Sequence, residues 1–193
     1  MGDSLFKIQY LNEKLFFKTR LYFTGIVTIA IWSLLAWDHY HGGVPSHHIL
    51  ANKDLPEISN WWGGFLIPFL TWFLLYRIQK RIVRHNEEGF KTSKHLQHTL
   101  YRFVGSLLFG ILLSVFFTFG NSDMSGCMVL SLFPLALFFP IYRAECLLGF
   151  VIGMTFTFGG VLPTGIGSIF ASVGAILYLF VRRGIIYLAT SKK

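Results

Sequence analysis

Long uncharged apolar stretches alternate with short polar segments along almost the whole chain. Four stretches come close to the roughly 20 residues that a helix needs to cross the hydrocarbon core of a bilayer. They cover residues 21–37, 61–76, 103–120 and 127–142. A fifth stretch, residues 146–181, carries no charge and is long enough for two crossings. The pattern predicts an all-α, polytopic membrane protein with six transmembrane helices.

Glycine and proline recur in the middle of the fifth stretch, at Gly159, Gly160, Pro163, Gly165 and Gly167. Because these residues favour turns, residues 159–167 are expected to join the fifth span to the sixth. The alternative is a re-entrant or broken helix that lines a cavity, which is a rarer use of glycine and proline in membranes.

Two smaller features accompany the fifth span. Gly149 and Gly153 have the four-residue spacing that lets two membrane helices approach closely, so this span is expected to pack tightly on a neighbour. Glu145 lies in the turn before the span, and we expect its carboxylate to pair with Arg143 or with the basic segment 77–102. The alternative is a functional role for this carboxylate beside the membrane.

The first 20 residues mix apolar and charged positions. Leu5, Ile8, Leu11 and Leu15 recur at helical spacing, with charged residues between them. This pattern predicts a short interfacial helix, residues 1–20, on the cytoplasmic membrane surface. The alternative is an ordinary extension of the first span. No cleavable signal peptide is expected, because the segment lacks a continuous apolar region.

Composition excludes the soluble classes of protein. The chain has 193 residues, of which 53% are hydrophobic and 13% charged, and this charged fraction is half the average of about 25% for soluble domains. Intrinsic disorder is excluded for the same reason. The formal net charge of +8 would indicate nucleic-acid binding only if the basic residues shared a water-facing surface. Here they punctuate apolar stretches, so no nucleic-acid partner is expected.

The basic residues are divided unequally between the two sides of the predicted membrane. All but one of the 17 Lys and Arg residues, Lys53, fall within the N-terminal 20 residues, the loop 77–102, Arg143 and the C-terminal tail. The positive-inside rule therefore places both termini in the cytoplasm, with a bacterial inner membrane as the simplest location. The whole chain, 1–193, is interpreted as one integral membrane domain.

The loop 77–102 is the longest basic segment on this predicted cytoplasmic side. We expect a helix over residues 77–85 and contact between the basic side chains and anionic lipid headgroups.

The predicted outer loop, residues 38–60, holds most of the candidate chemistry. Four of the seven histidines fall within a single ten-residue part of this loop, residues 39–48. Neutral imidazoles and carboxylates are good ligands for divalent transition metals such as zinc. The candidate metal ligands are Asp38, His39, His41, His47, His48 and Asp54. Gly42 and Gly43 favour a sharp fold after His41 that would bring the histidines together.

Two other uses of the same loop remain open. His48, Asp54 and Glu57 are candidates for general acid–base catalysis. The structural interpretation is that the His and Asp side chains cap helix ends and hydrogen-bond to the loop backbone. The spacing matches no established metalloenzyme motif, so the pattern does not choose between these uses.

Three function classes are therefore compatible with the sequence. The first is a protein whose outer loop binds a metal ion or small ligand at the membrane surface, as a homo-oligomer or in a larger membrane complex. The second is a membrane-embedded hydrolase or transferase that acts on a lipid-linked substrate through the same residues. The third is an oligomeric pore or carrier for small solutes, built from the Gly-rich fifth and sixth spans.

Overall fold

The computed structural model describes residues 2–44, 46–48, 57–87 and 92–190. The α-helices of this part are α1 (Gly2–Tyr40), α2 (Gly63–Glu87), α3 (Thr92–Thr118), α4 (Ser122–Phe138), α5 (Ala144–Phe158), α6 (Val161–Ile176) and α7 (Arg182–Thr190). A 3-10 turn, Asn60–Trp62, precedes α2, and a π-helical segment, Leu177–Val181, joins α6 to α7. Strands β1 (Ser46–His48) and β2 (Glu57–Ser59) form a short antiparallel ladder. Because nearly all of the described chain is helical, the predicted all-α class is confirmed.

Three helical segments of the described chain are long and apolar enough to cross a membrane: Lys14–Tyr40, His95–Thr118 and Val161–Tyr187. Helices α4 and α5 are also apolar, but they have only 17 and 15 residues, or about 25 and 23 Å at 1.5 Å per residue. The fold is therefore compatible with a membrane protein that has three candidate spans. The arrangement of six spans stays a prediction.

The helices expose many large apolar side chains. Tyr22, Ile29 and Phe69 are each 68–70% exposed, and they belong to a much larger set of exposed aromatic and aliphatic residues. Soluble monomers rarely expose contiguous apolar patches larger than a few hundred Å². A surface of this kind is suited to contact with lipid acyl chains.

The chain forms two compact units, Met1–Thr99 and Leu100–Lys193, whose boundary lies within α3. In the first unit α1 packs against α2. Arg20 lies beside Trp72 and Trp32 beside Phe65, so the two helices are antiparallel. Their buried apolar residues are Ile31, Leu35, Ile67, Leu74, Ile78 and Ile82.

In the second unit, α5 approaches α3 so closely that only glycine fits at the contact. A Cβ atom on Gly153 would lie 2.5 Å from the Leu107 carbonyl oxygen, and one on Gly110 of α3 would lie 2.8 Å from the Phe150 carbonyl oxygen. Gly149, one turn before Gly153, makes an even closer approach to α3. The close packing predicted from the Gly149–Gly153 spacing is confirmed.

Helix α1 runs without interruption from Gly2 to Tyr40. The interfacial helix expected at 1–20 and the span expected at 21–37 are thus one continuous helix, as in the alternative of an extended first span. No glycine or proline occurs between residues 3 and 24 to end the first segment. The helix expected over 77–85 is confirmed, since α2 continues to Glu87.

The connection between α5 and α6 is shorter than expected. Gly159 has φ +70°, and α6 begins two residues later, so the turn expected over 159–167 is wrong beyond residue 160. Pro163 is compatible with helix because it lies in the first turn of α6, where backbone N–H groups have no partner within the helix. A Cβ atom on Gly167 would lie 2.8 Å from Leu147 Cδ1, so this glycine serves helix packing.

Candidate functional site in the loop between α1 and α2

The predicted outer loop begins inside α1, because Asp38 and His39 lie in the last turn of that helix. The Gly43 N–H donates to the Asp38 carbonyl oxygen at 2.9 Å, which is the six-residue bond of a Schellman helix end. Gly42 and Gly43 have φ values of +120° and +96°, in the range that favours glycine. The sharp change of chain direction predicted after His41 is therefore confirmed at these two glycines.

His41 is held by the residue one helical turn before it. Its Nδ1 lies 2.9 Å from the Trp37 carbonyl oxygen, and its ring stacks on the Trp37 indole with the centroids 3.8 Å apart. A carbonyl oxygen can only accept, so Nδ1 carries the hydrogen and Nε2 of the neutral ring presents a lone pair. Metal-binding histidines are commonly oriented in this way. The sequence signal that could have identified Trp37 is its four-residue spacing from His41.

His39 has different neighbours. Its ring centroid lies 6.1 Å from that of Trp61 and 5.4 Å from that of Tyr40. Residues two positions apart on a helix do not face each other, so His39 and His41 do not share a helix face. The two predicted ligands therefore contact different aromatic rings, Trp37 for His41 and Trp61 for His39.

A complete metal site is not seen among the described side chains, where no group of three or more His, Cys, Asp and Glu residues could hold a metal ion. The predicted ligand Asp54 lies outside the described residues. The metal site therefore stays a prediction.

The β-ladder closes the loop. Its register pairs Ser46 with Ser59, His47 with Ile58 and His48 with Glu57. Two of the three candidate acid–base residues are thus opposite each other in the ladder, where Cα atoms are about 5 Å apart. The third candidate, Asp54, is outside the described residues, and the acid–base hypothesis stays a prediction.

Aromatic rings pack around the same end of the α1–α2 pair. Trp32 contacts Trp61 and Phe65 edge to face, at centroid distances of 6.2 and 5.6 Å. The backbone N–H of Trp61 donates to Ser59 Oγ at 3.4 Å, and this hydrogen bond caps the 3-10 turn before α2. Tryptophan is enriched at the level of lipid headgroups, so this end of the pair is suited to a membrane interface.

Asp38 does not stabilise the helix that carries it. The last turn of a helix is the negative end of its dipole, where an acidic side chain is unfavourable by about 0.3–1 kcal/mol. The structural interpretation of the loop fits His41, whose ring hydrogen-bonds to a backbone carbonyl oxygen, but it does not explain Asp38.

A second polar feature lies in the unit 100–193. Glu145, in the first turn of α5, is fully buried, and its Oε1 lies 3.5 Å from Nη1 of Arg102. Arg102 ends the basic segment 77–102, so the structure selects this segment over Arg143 as the partner of Glu145. The helix N-terminus also favours an acidic side chain at this position.

The comparisons with known proteins give no relative from which a function could be transferred. No protein-family model matches the chain, and no curated protein or solved structure is significantly similar to it.

Proposed function

We propose that the loop 38–60 binds a divalent transition metal ion, with zinc as the simplest candidate, at the outer surface of a membrane. The observation that carries this proposal is the His41 side chain. Its Nδ1 is engaged by the Trp37 carbonyl oxygen at 2.9 Å, and the residue is exposed. The Nε2 lone pair is therefore oriented in advance, which reduces the rotamer entropy lost when a metal binds.

The remaining ligands are proposed to come from His47, His48 and Asp54. The two glycines after His41 turn the chain, and the ladder pairs 46–48 with 57–59, which supports a compact loop. Asp38 is suited to the role of an outer carboxylate that neutralises the charge of the metal. His39 is the weaker candidate ligand, because it lies two positions before His41 and so does not share its helix face.

Zinc titration of the purified full-length protein tests this proposal. The protein, in detergent and stripped of metal, is titrated against a chromophoric zinc chelator. We expect one zinc ion per chain, and His41→Ala should lower the affinity at least about tenfold. His98→Ala is the matched control, because it removes an exposed histidine from α3 and should leave the affinity unchanged.

The same titration should depend on pH. Each ligating histidine must be neutral, so zinc affinity should fall as the pH is lowered from about 7.5 to about 5.5. Equal zinc binding by the wild-type protein and His41→Ala, or no binding by either, would remove the proposed metal site.

We also propose that the chain crosses the inner membrane of a bacterium six times, with both termini in the cytoplasm. The excess of basic residues on one side of the predicted spans supports this orientation. The short helices α4 and α5 are proposed to cross as a pair, with flanking arginines such as Arg143 reaching the interface.

Cysteine labelling tests the orientation. In a cysteine-free background, Cys127→Ser/Cys146→Ser, a single cysteine replaces Asp123, an exposed residue in the first turn of α4. A membrane-impermeant maleimide should label Asp123→Cys in intact spheroplasts. Lys80→Cys, the matched control on α2, should be labelled only after permeabilisation. The reverse pattern would show that the proposed orientation is wrong.

A further inference from the structure

One end of the α1–α2 pair gathers basic side chains from both helices. Arg20 Cζ lies 4.0 Å from the centroid of the Trp72 ring and 5.4 Å from that of Tyr76, which fixes the level of α1 against α2. Because the helices are antiparallel, moving from Arg20 back toward Lys14 on α1 corresponds to moving forward on α2 by a similar number of residues. Lys14 and Lys18 therefore lie at the level of residues 74–82.

We call this set the basic collar. It consists of Lys14, Lys18, Arg20, Arg77, Lys80, Arg81 and Arg84. All seven belong to the unit Met1–Thr99, and five of them are exposed, since only Arg20 and Arg81 are half-buried.

The basic collar has few acidic residues near it in the sequence. In the sequence, no Asp or Glu occurs between positions 14 and 37 or between 58 and 86, and the acidic residues that border the basic ends of these ranges are Glu13, Glu87 and Glu88. In the sequence, the basic residues of the collar thus outnumber the flanking carboxylates, and this excess of positive charge attracts anions from outside the chain.

Aromatic residues give the basic collar a defined depth. Phe17 contacts Trp72 edge to face at 5.9 Å, and the Arg20 guanidinium lies over both rings. Tryptophan and tyrosine concentrate at the level of lipid headgroups, where an arginine stacked on an indole can reach phosphate oxygens. The charges and the aromatic rings of the basic collar both indicate that it binds lipid headgroups.

We propose that the basic collar binds the headgroups of anionic phospholipids, using residues of α1 as well as those of the segment 77–102. The proposal is independent of the metal site, which lies at the opposite end of the α1–α2 pair. Each basic residue near an anionic lipid surface should contribute about fivefold to the affinity.

Native mass spectrometry of the full-length protein tests the proposal. The detergent-purified protein is titrated with phosphatidylglycerol or with phosphatidylcholine, and the bound lipids are counted. The wild-type protein should prefer phosphatidylglycerol at least about tenfold. The variant Lys14→Gln/Lys18→Gln/Arg77→Gln/Lys80→Gln changes four exposed residues of the basic collar, and it should reduce the preference to within about twofold.

The matched control removes four charges from the other unit: Arg143→Gln/Arg183→Gln/Lys192→Gln/Lys193→Gln. It should keep the wild-type preference. The salt dependence of binding tests the proposal on the wild-type protein alone. Raising the ionic strength from about 0.1 M to about 1 M shortens the Debye length from about 10 Å to about 3 Å, so it should weaken the preference for phosphatidylglycerol. The proposal is wrong if the wild-type protein binds both lipids equally, or if the four-residue variant of the basic collar behaves like the control.

Discussion

Replacing Gly149 on α5 with leucine is expected to destabilise the protein by more than about 3 kcal/mol. Even a single Cβ atom at this position would overlap the Phe103 carbonyl oxygen and the Ser106 hydroxyl of α3. A carbonyl oxygen is part of the backbone, so it cannot move aside as a flexible side chain can. The two helices would have to separate, and the packing of Gly153 on Leu107 would be lost with them.

The measurement is the apparent melting temperature of the purified protein in detergent. For a chain of this length, a loss of about 3 kcal/mol corresponds to a decrease of about 6–12 °C. The matched control is Gly105→Leu. Gly105 lies on α3, and a Cβ atom added there would meet nothing within 4 Å beyond its own stretch of helix backbone, so the melting temperature of this variant should not decrease. If Gly149→Leu has the same melting temperature as the wild-type protein, the close contact between α3 and α5 does not exist.

Replacing Arg102 with alanine is expected to cost about 3 kcal/mol, or again about 6–12 °C in melting temperature. The Glu145 carboxylate has no solvent exposure and lies 3.5 Å from the guanidinium. Removal of the arginine takes this positive group away from a buried negative charge. Because the Arg102 side chain is 31% exposed, the effect should fall at the lower end of the range for buried ion pairs.

A double-mutant cycle separates the ion pair from other effects of the substitution. Glu145→Gln removes the buried charge, so Arg102→Ala should destabilise this variant less than it destabilises the wild-type protein. Arg143→Ala is the matched control, since Arg143 precedes α5 but makes no side-chain hydrogen bond as its cap. An Arg102→Ala protein as stable as the Arg143→Ala control would contradict the role of the pair.

The helices were predictable because long apolar stretches leave few alternatives. Backbone N–H and C=O groups in a nonpolar environment must pair within their own segment, and most of each of the stretches 103–120 and 127–142 is helical. The end of α1 was also predictable, because Gly42 and Gly43 adopt positive φ values that other residues avoid.

The connection between α5 and α6 shows where local pattern fails. Gly159–Gly167 has the composition of a turn, yet residues 161–167 are helical. Glycine both favours turns and allows close helix packing, and sequence pattern does not separate these uses. Gly167 lies against Leu147 of α5, which shows that this glycine allows close helix packing.

The sequence predicted which loop holds the histidines of the candidate site, but it did not predict how their side chains are arranged. His39 and His41 look equivalent in the sequence, yet one packs against Trp61 and the other is held by Trp37. The angular step of the helix directs the two side chains to different faces of the helix end. The sequence therefore indicated the loop, and the helix geometry distinguished its histidines.

The sequence by itself determined that the chain is helical and apolar, and that its basic residues fall on one side of the predicted spans. These properties depend on composition and on local hydrogen bonding, which act within a segment. Only the tertiary structure decided that Glu145 pairs with Arg102 rather than Arg143, that α3 accepts the glycines of α5, and that the basic collar includes residues of α1. These contacts join residues that are distant in the sequence, so they depend on how the helices pack together.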